Sequence, residues 1–470
     1  MLFTELRYLL FFAIIWMVYW VLPWPKARKG LLLAGSYLFY SAWDPRFLLL
    51  ILLSTGVDYI AGGRIAAAAE RTTRKAWLLL SLGVNLGVLF FFKYFNFFTQ
   101  SLVDLMNQLG VVVSHTTLEI VLPVGISFYT FQTLSYTIEI YRGKLEPRRS
   151  LLDFALYVAF FPQLVAGPIV RAKVFLPQVE KLAKLSEVAI RPLLFLFLVG
   201  YIKKACVADN LAPYIDQVYS DPSLFTAMAV VGAVLLYSVQ IYCDFSGYTD
   251  MAIASAGLLG FSLPKNFDFP SLAASATEFW RRWHISLSSW MRDYVYFPLG
   301  GNRMGERRSE LNLMITMLVG GLWHGAAWGF VIWGGLNALA LIIQKRWHSW
   351  RSGHRWHLPT PVAYLLGLLL TYWWMSLARI FFRAEDMQRA GEALQIFLTL
   401  QSSGQQLLGL AWIPLLLGLG AVHSLFYRWD VSALAGRLSI GWFTLLMGVG
   451  SALALSLRPV GYQPFVYFQF

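Results

Sequence analysis

The sequence predicts an all-α, polytopic membrane protein with about eleven transmembrane spans plus re-entrant and amphipathic helices. Three observations carry this. Of 470 residues, 58% are hydrophobic and 13% charged, whereas a soluble chain carries about 25% charged residues. Apolar stretches close to the roughly 20 residues that cross a bilayer recur along the whole chain. The basic residues behind the net charge of +13 cluster in short loops between those stretches. That is the pattern of a membrane topology rather than of a nucleic-acid surface, so no nucleic-acid partner is expected.

In chain order, spans are expected near 8–24, 30–43, 47–63, 76–98, 118–141, 188–206, 223–243, 311–343, 362–382, 407–426 and 441–457. The first lacks a basic leader and a small-residue cleavage site, so it reads as a retained span. The loops Lys26–Lys29, Arg64–Lys75, Arg142–Arg149, Lys173–Lys184 and Lys345–Arg355 are expected to face the cytoplasm. Segment 101–117 has no Lys or Arg, and 207–222 carries Asp209, Asp216 and Asp221 without a base. Both are placed on the far side, as are the chain termini. No internal repeat is visible, and the chain reads as one domain over 1–470. Peripheral spans occupy about 1–110, a core about 118–384, and C-terminal spans with an aromatic tail about 407–470. Cys206 and Cys243 lie in or beside apolar spans without metal-ligand spacing.

Three segments depart from plain spans. Residues 264–310 interleave Lys265, Arg281, Arg282 and Arg292 with Trp280, Trp283, Trp290, Tyr294 and Tyr296. Too charged to cross and too aromatic to leave the bilayer, they read as amphipathic helices at the interface or entering a cavity. Within 149–190, Phe160-Phe161-Pro162-Gln163 and Ala166-Gly167-Pro168 interrupt an apolar run, which suggests a re-entrant turn lined by protein. Leu311 to Ile343 is uncharged for 33 residues. A straight helix of that length spans roughly 50 Å, against a hydrocarbon core of about 30 Å. Bases flank both ends, so a hairpin or broken helix is expected, with Gly320, Gly321, Gly325, Gly329, Gly334 and Gly335 allowing close approach.

His324 sits near the middle of that segment. An ionisable side chain at such depth is a functional-site candidate, and a neutral imidazole suits a general base. A satisfied structural histidine is the alternative. His284, next to Arg281 and Arg282, is a second candidate; the arginine pair suits either the phosphates of a cytoplasmic donor or lipid headgroups. The run Tyr242 to Asp250 places Asp244 and Asp250 at the end of a span, where a structural polar network is expected over a metal site. His348, His354 and His357 lie in a basic loop, His115 in an outer loop, and His423 alone on a span.

These residues resemble a known family. The Asp244 to Asp250 run, Phe279 to Met291, Tyr294 to Asn302 (YVYFPLGGN), Gly321 to Gly325 (GLWHG) and Phe161 to Gln178 (FPQLVAGPIVRAKVFLPQ) together look like the membrane-bound O-acyltransferases. More narrowly, they resemble the bacterial alginate O-acetyltransferase branch. The resemblance implies helices around a central tunnel, with His324 as catalytic histidine and His284 as the second, upstream polar residue. It also implies acetyl-CoA as donor with no bound cofactor or metal, and an extracytoplasmic acetyltransferase partner.

The C-terminal Pro464 to Phe470 reads as an interfacial aromatic anchor. It also resembles the aromatic tail of the small peptide that accompanies the teichoic-acid D-alanyl transferase, which makes Tyr467 a candidate acyl acceptor. The expected activity is O-acetylation of an exported polysaccharide, with acetyl passed from a cytoplasmic donor across the bacterial inner membrane within a secretion complex. Alginate, cellulose and peptidoglycan are all open as the polymer. Rival classes are a polytopic transporter and a non-catalytic scaffold.

Overall fold

The computed structural model describes residues 1–113, 117–165, 167–352, 359–429, 431–459, 461 and 465–466. All named elements among them are helical, and one isolated bridge pairs Phe225 with Gln405. Met1–Leu193 and Ala252–Pro264 make one compact unit; Leu194–Met251 and Lys265–Phe470 make a second.

The first unit contains α1 (Leu6–Val21), α2 (Pro25–Ser41), α3 (Leu48–Ala67), α4 (Arg71–Leu89), α5 (Phe95–Gln108), α6 (Ile126–Tyr141), α7 (Leu151–Ala159), α8 (Phe161–Leu164) and α9 (Ala172–Glu180). A π-helical turn, Phe90–Tyr94, joins α4 and α5 into one 38-residue helix. Between α7 and α8 the helix breaks at Phe160. The fully buried Phe161 that follows wedges its ring against Phe11 and Phe39, at 5.2 and 5.7 Å. Apolar contact alone would leave the register of α3, α4 and α6 loose, since lipid is as apolar as leucine. A buried polar cluster sets it. Ser81 and Asn85 donate to Asp58 at 2.6 and 3.0 Å, Ser54 donates to Asn85 at 2.6 Å, and the Ser81 and Thr137 hydroxyls lie 3.0 Å apart.

Two helices, α10 (Ile190–Tyr201) and α12 (Ala227–Leu258), contribute residues to both units. The second unit adds α11 (Asp209–Ser220), α13 (Ala276–Arg282), α14 (Ile285–Met291), α15 (Glu306–His324), α16 (Trp328–Ser352), α17 (Thr360–Arg383), α18 (Met387–Thr399), α19 (Trp412–Arg428), α20 (Val431–Arg437) and α21 (Ile440–Leu457). The uncharged 311–343 segment is a helical hairpin, broken at 325–327 between α15 and α16. Glycines set its spacing. A Cβ on Gly321 would stand 2.2 Å from the Phe330 carbonyl oxygen, and one on Gly334 would stand 2.4 Å from that of Met317.

Six helical stretches among the described residues are long and apolar enough to cross a bilayer: Pro45–Ala67, Arg71–Gln108, Ala227–Leu258, Trp328–Ser352, Thr360–Arg383 and Ile440–Leu457. The other expected spans differ for local reasons. Segments 8–24, 30–43 and 407–426 form helices of 16, 17 and 17 residues, short of the roughly 20 for an upright crossing. Within 118–141 the helix begins only at Ile126, because Gly125 takes a left-handed conformation (φ 76°). The acidic 207–222 segment, expected as a loop, is mostly helix. Lys204 pairs with Asp209 at 2.7 Å and Arg383 with Asp216 at 2.5 Å. Likewise 223–243 runs on to Leu258, carrying Asp244 and Asp250 inside α12.

Gly321→Ala sets a methyl group against backbone, whereas Gly320, with open space around its Cα, accepts one. Gly321→Ala is expected to lower the thermal midpoint by several degrees and reduce accumulation in membranes. Gly320→Ala should match wild type in both measurements.

Candidate active site

α13 opens with Ser275 accepting a hydrogen bond from the Glu278 amide at 3.2 Å, while the Glu278 carboxylate takes the Ala274 amide at 2.9 Å. Reciprocal capping of this kind lets a seven-residue helix form. It ends at Arg282, and His284 turns the chain in the left-handed region (φ 43°, ψ 53°) before α14 starts. That conformation is uncommon for a residue with a Cβ and persists only where neighbours over-determine it. Here Asn266 does so. Its carbonyl takes the Ile285 amide at 2.9 Å, and its side-chain oxygen takes the Ser286 amide and hydroxyl at 3.1 and 2.8 Å.

His324 is the last residue of α15, 4% exposed. Gly325 follows in an extended conformation beneath the Phe330 ring, where any Cβ would clash. The His324 ring is walled by Trp323, Trp333 and Phe382, with centroids at 5.0, 4.9 and 5.3 Å. His284 lies against Phe245 and Trp323, at 4.8 and 5.7 Å. The two imidazole centroids are 6.2 Å apart. Forty positions apart in sequence, they meet inside an aromatic shell. His284 is outside the spanning helices, and its desolvation there holds the imidazole neutral by pushing its pKa down to about 3.

The other candidates fall elsewhere. Arg281 is exposed. Arg282 pairs with Glu278 at 2.7 Å, reaches the Asp268 carbonyl at 3.3 Å and lies over the Tyr427 ring at 5.3 Å. Asp244 and Asp250 are held by two lysines from the π-helical turn Ile202–Ala208. Lys204 lies 2.6 Å from Asp244 and Lys203 lies 2.7 Å from Asp250. The glycine pair Gly200 and Gly247, where α10 and α12 cross, permits this approach. Asp244 also accepts the Val466 backbone amide at 2.9 Å, and the buried Phe465 packs on Phe245 and Tyr248 at 5.8 and 4.8 Å. The chain just before Tyr467 therefore shares Phe245 with His284. Tyr467 itself, like His115, His354 and His357, lies outside the described residues. No group of three or more His, Cys, Asp or Glu among the described residues is arranged to hold a metal.

Sequence reasoning missed Lys203, Lys204 and Arg379. Each is a base inside an apolar stretch, which was the signal available. Arg379 is buried beneath Phe279 and Trp283, 5.3 and 5.0 Å from their centroids, and donates to Ser238 at 2.9 Å.

A family model for the membrane-bound O-acyltransferases (MBOAT) matches residues 75–377. The chain belongs to that family. Curated MBOAT relatives include a probable alginate O-acetylase AlgI from Pseudomonas putida, 37% identical over the whole of both chains. A second AlgI, from Pseudomonas aeruginosa, is 40% identical over 86% of this chain and 76% of its own. A peptidoglycan O-acetyltransferase from Helicobacter pylori is 34% identical over 79% of this chain and 74% of its own. This MBOAT is accordingly a multi-pass membrane enzyme, an O-acyltransferase.

The neutral His284 has a consequence for stability. On unfolding its pKa returns to about 6.5, so between that value and about 3 the unfolded chain binds a proton that the native chain does not. Stability therefore falls as pH falls through this window, by up to about 1.4 kcal/mol per unit. The thermal midpoint of the detergent-solubilised protein should drop more steeply on acidification below about pH 6.5 than that of His284→Gln. Parallel slopes would show that His284 is not held neutral.

Proposed function

We propose that this MBOAT O-acetylates an exported, alginate-like polysaccharide in the bacterial inner membrane, passing acetyl from a cytoplasmic thioester, acetyl-CoA or an acyl carrier, toward the far side. The observation that carries the reading is the His284–His324 pair, 6.2 Å apart in an apolar shell. His324 takes the proton of the attacking hydroxyl as that oxygen adds to the thioester carbonyl. The C–S bond then breaks and the departing sulfur receives the proton, leaving an O-acetyl ester and a free thiol. His284, neutral, orients donor or intermediate opposite His324. The three alginate and peptidoglycan acetylating relatives support both acetyl as the group and an envelope polysaccharide as the acceptor.

The acceptor at the site is proposed to be the Tyr467 hydroxyl, which then yields the acetyl group to an extracytoplasmic acetyltransferase of the secretion complex. Docking of Phe465 and Val466 beside Phe245 supports this. Arg281 remains the more available of the arginine pair for donor phosphates, since Arg282 is engaged by Glu278.

The test is the acetyl content of secreted polymer from cells with normal protein levels. His324→Ala is expected to abolish acetylation, His284→Ala to reduce it at least tenfold, and Tyr467→Phe to abolish it while leaving donor binding intact. Wild-type acetylation in the first two variants would overturn the base assignment. Wild-type acetylation in Tyr467→Phe would remove the relay step alone.

A further inference from the structure

The hairpin of α15 and α16 carries His324 at its break, and the opposite ends of the two helices also meet. Arg346 on α16 holds Glu310 on α15 at 2.6 Å, and Lys345 reaches the Ser309 hydroxyl at 3.3 Å. Across 303–310 and 344–351 stand six bases, Arg303, Arg307, Arg308, Lys345, Arg346 and Arg351, against two acids, Glu306 and Glu310. Arg303, Arg307 and Arg308 are exposed, and the Arg346 side chain stays 70% exposed even while it pairs with Glu310. The excess positive charge therefore faces outward.

An exposed apolar stripe leads to this basic end. Leu339, Ile343, Trp347 and Trp350 are 41, 55, 47 and 49% exposed. Their spacing of four, four and three residues places them on one face of α16. Leucine and isoleucine exposed on a spanning helix face lipid, so the two tryptophans that continue the same face meet lipid as well. Their rings stack at 5.1 Å. The 25 residues of α16 run about 38 Å, past a hydrocarbon core of about 30 Å, so the tryptophan end emerges at headgroup level. Indoles at that boundary with guanidinium groups beside them, from Arg346 and Arg351, are the composition of a headgroup contact. The order recurs on α15, where the exposed Leu311 gives way to Arg308 and Arg307 toward the same end.

We propose that the joined ends of α15 and α16 bind an anionic phospholipid of the cytoplasmic leaflet. Its acyl chains lie along the Leu339 to Trp350 face, and its headgroup phosphate is taken by Arg346 and Arg351, with Arg307 and Arg308 adding to the field. Bases in this excess attract an anionic headgroup and gain little from a zwitterionic one. A soluble acidic protein matches the charge but not the stripe, because the apolar face runs unbroken from the lipid-facing part of α16 to the bases. The phosphate offsets the mutual repulsion of bases from two helices. It thereby holds together the hairpin whose break positions His324.

The experiment follows the thermal midpoint of the full-length protein in detergent micelles doped with dioleoylphosphatidylglycerol or, at equal mole fraction, dioleoylphosphatidylcholine. The anionic lipid is expected to raise the midpoint by about 2 °C or more over the zwitterionic one. Arg346→Gln/Arg351→Gln and Arg307→Gln/Arg308→Gln should each raise the mole fraction for half-maximal effect about fivefold to thirtyfold, the range for losing one or two bases near a headgroup. Lys173→Gln/Lys181→Gln, an equal loss of charge at exposed lysines elsewhere, should stay within about twofold of wild type, and soluble glycerol phosphate should give no shift. Equal midpoints with both lipids overturn the proposal and leave the patch to an acidic protein. Arginine variants that match wild type, or a lysine variant that loses as much as they do, overturn it in favour of diffuse surface charge. A shift with glycerol phosphate alone makes it a free-anion site. The wild-type comparison decides even where an arginine variant fails to fold, and none of these readouts depends on the acyl-transfer reading.

Discussion

Lipid offers no hydrogen bonds, so a helix that stops inside a membrane protein leaves carbonyl groups that only protein can cover. The candidate active site is built around two such stops. At His324 the helix ends beneath Phe330, and the returning helix packs so closely that Gly321 and Gly334 must lack side chains. At His284 the chain reverses in a left-handed conformation, and Asn266 accepts the backbone amides released there. Irregular backbone is tolerated at these points because protein surrounds it, and that enclosure is also what dries the site.

A dry site governs what the two imidazoles do. With Phe245 and Trp323 against its ring, the cost of charging His284 is high, and it stays neutral. The nearby charges are arranged in pairs for the same reason. Lys204 is shared by Asp209 and Asp244, and Lys203 holds Asp250. Removing one member of such a buried pair strands the other, typically at about 3–5 kcal/mol. Asp244 spends its remaining capacity on the Val466 amide, so one carboxylate ties together α12, the π-helical turn and the C-terminal segment.

Much of this architecture is legible in residue order. The length and lack of charge of 311–343 required a break or a hairpin, and the break falls directly after His324. Proline and phenylalanine around 160–168 signalled the interrupted helices α7 to α9. That most of 207–222 is helix was not legible, because the partners of its acidic residues are not beside them in sequence. Their partners, Lys204 and Arg383, come from a neighbouring helical turn and from far along the chain.

By itself the sequence determined the membrane class, the helical content and the places where helices had to break, and it singled out two histidines as candidates for chemistry. Those features depend on hydropathy, on backbone preferences and on the energetic penalty of burying ionisable groups, all of which are local. Only the tertiary structure decided that His284 and His324 face one another and that Arg282 is committed to Glu278. These are meetings between distant segments, set by how glycine-spaced helices pack, and no run of neighbouring residues encodes them.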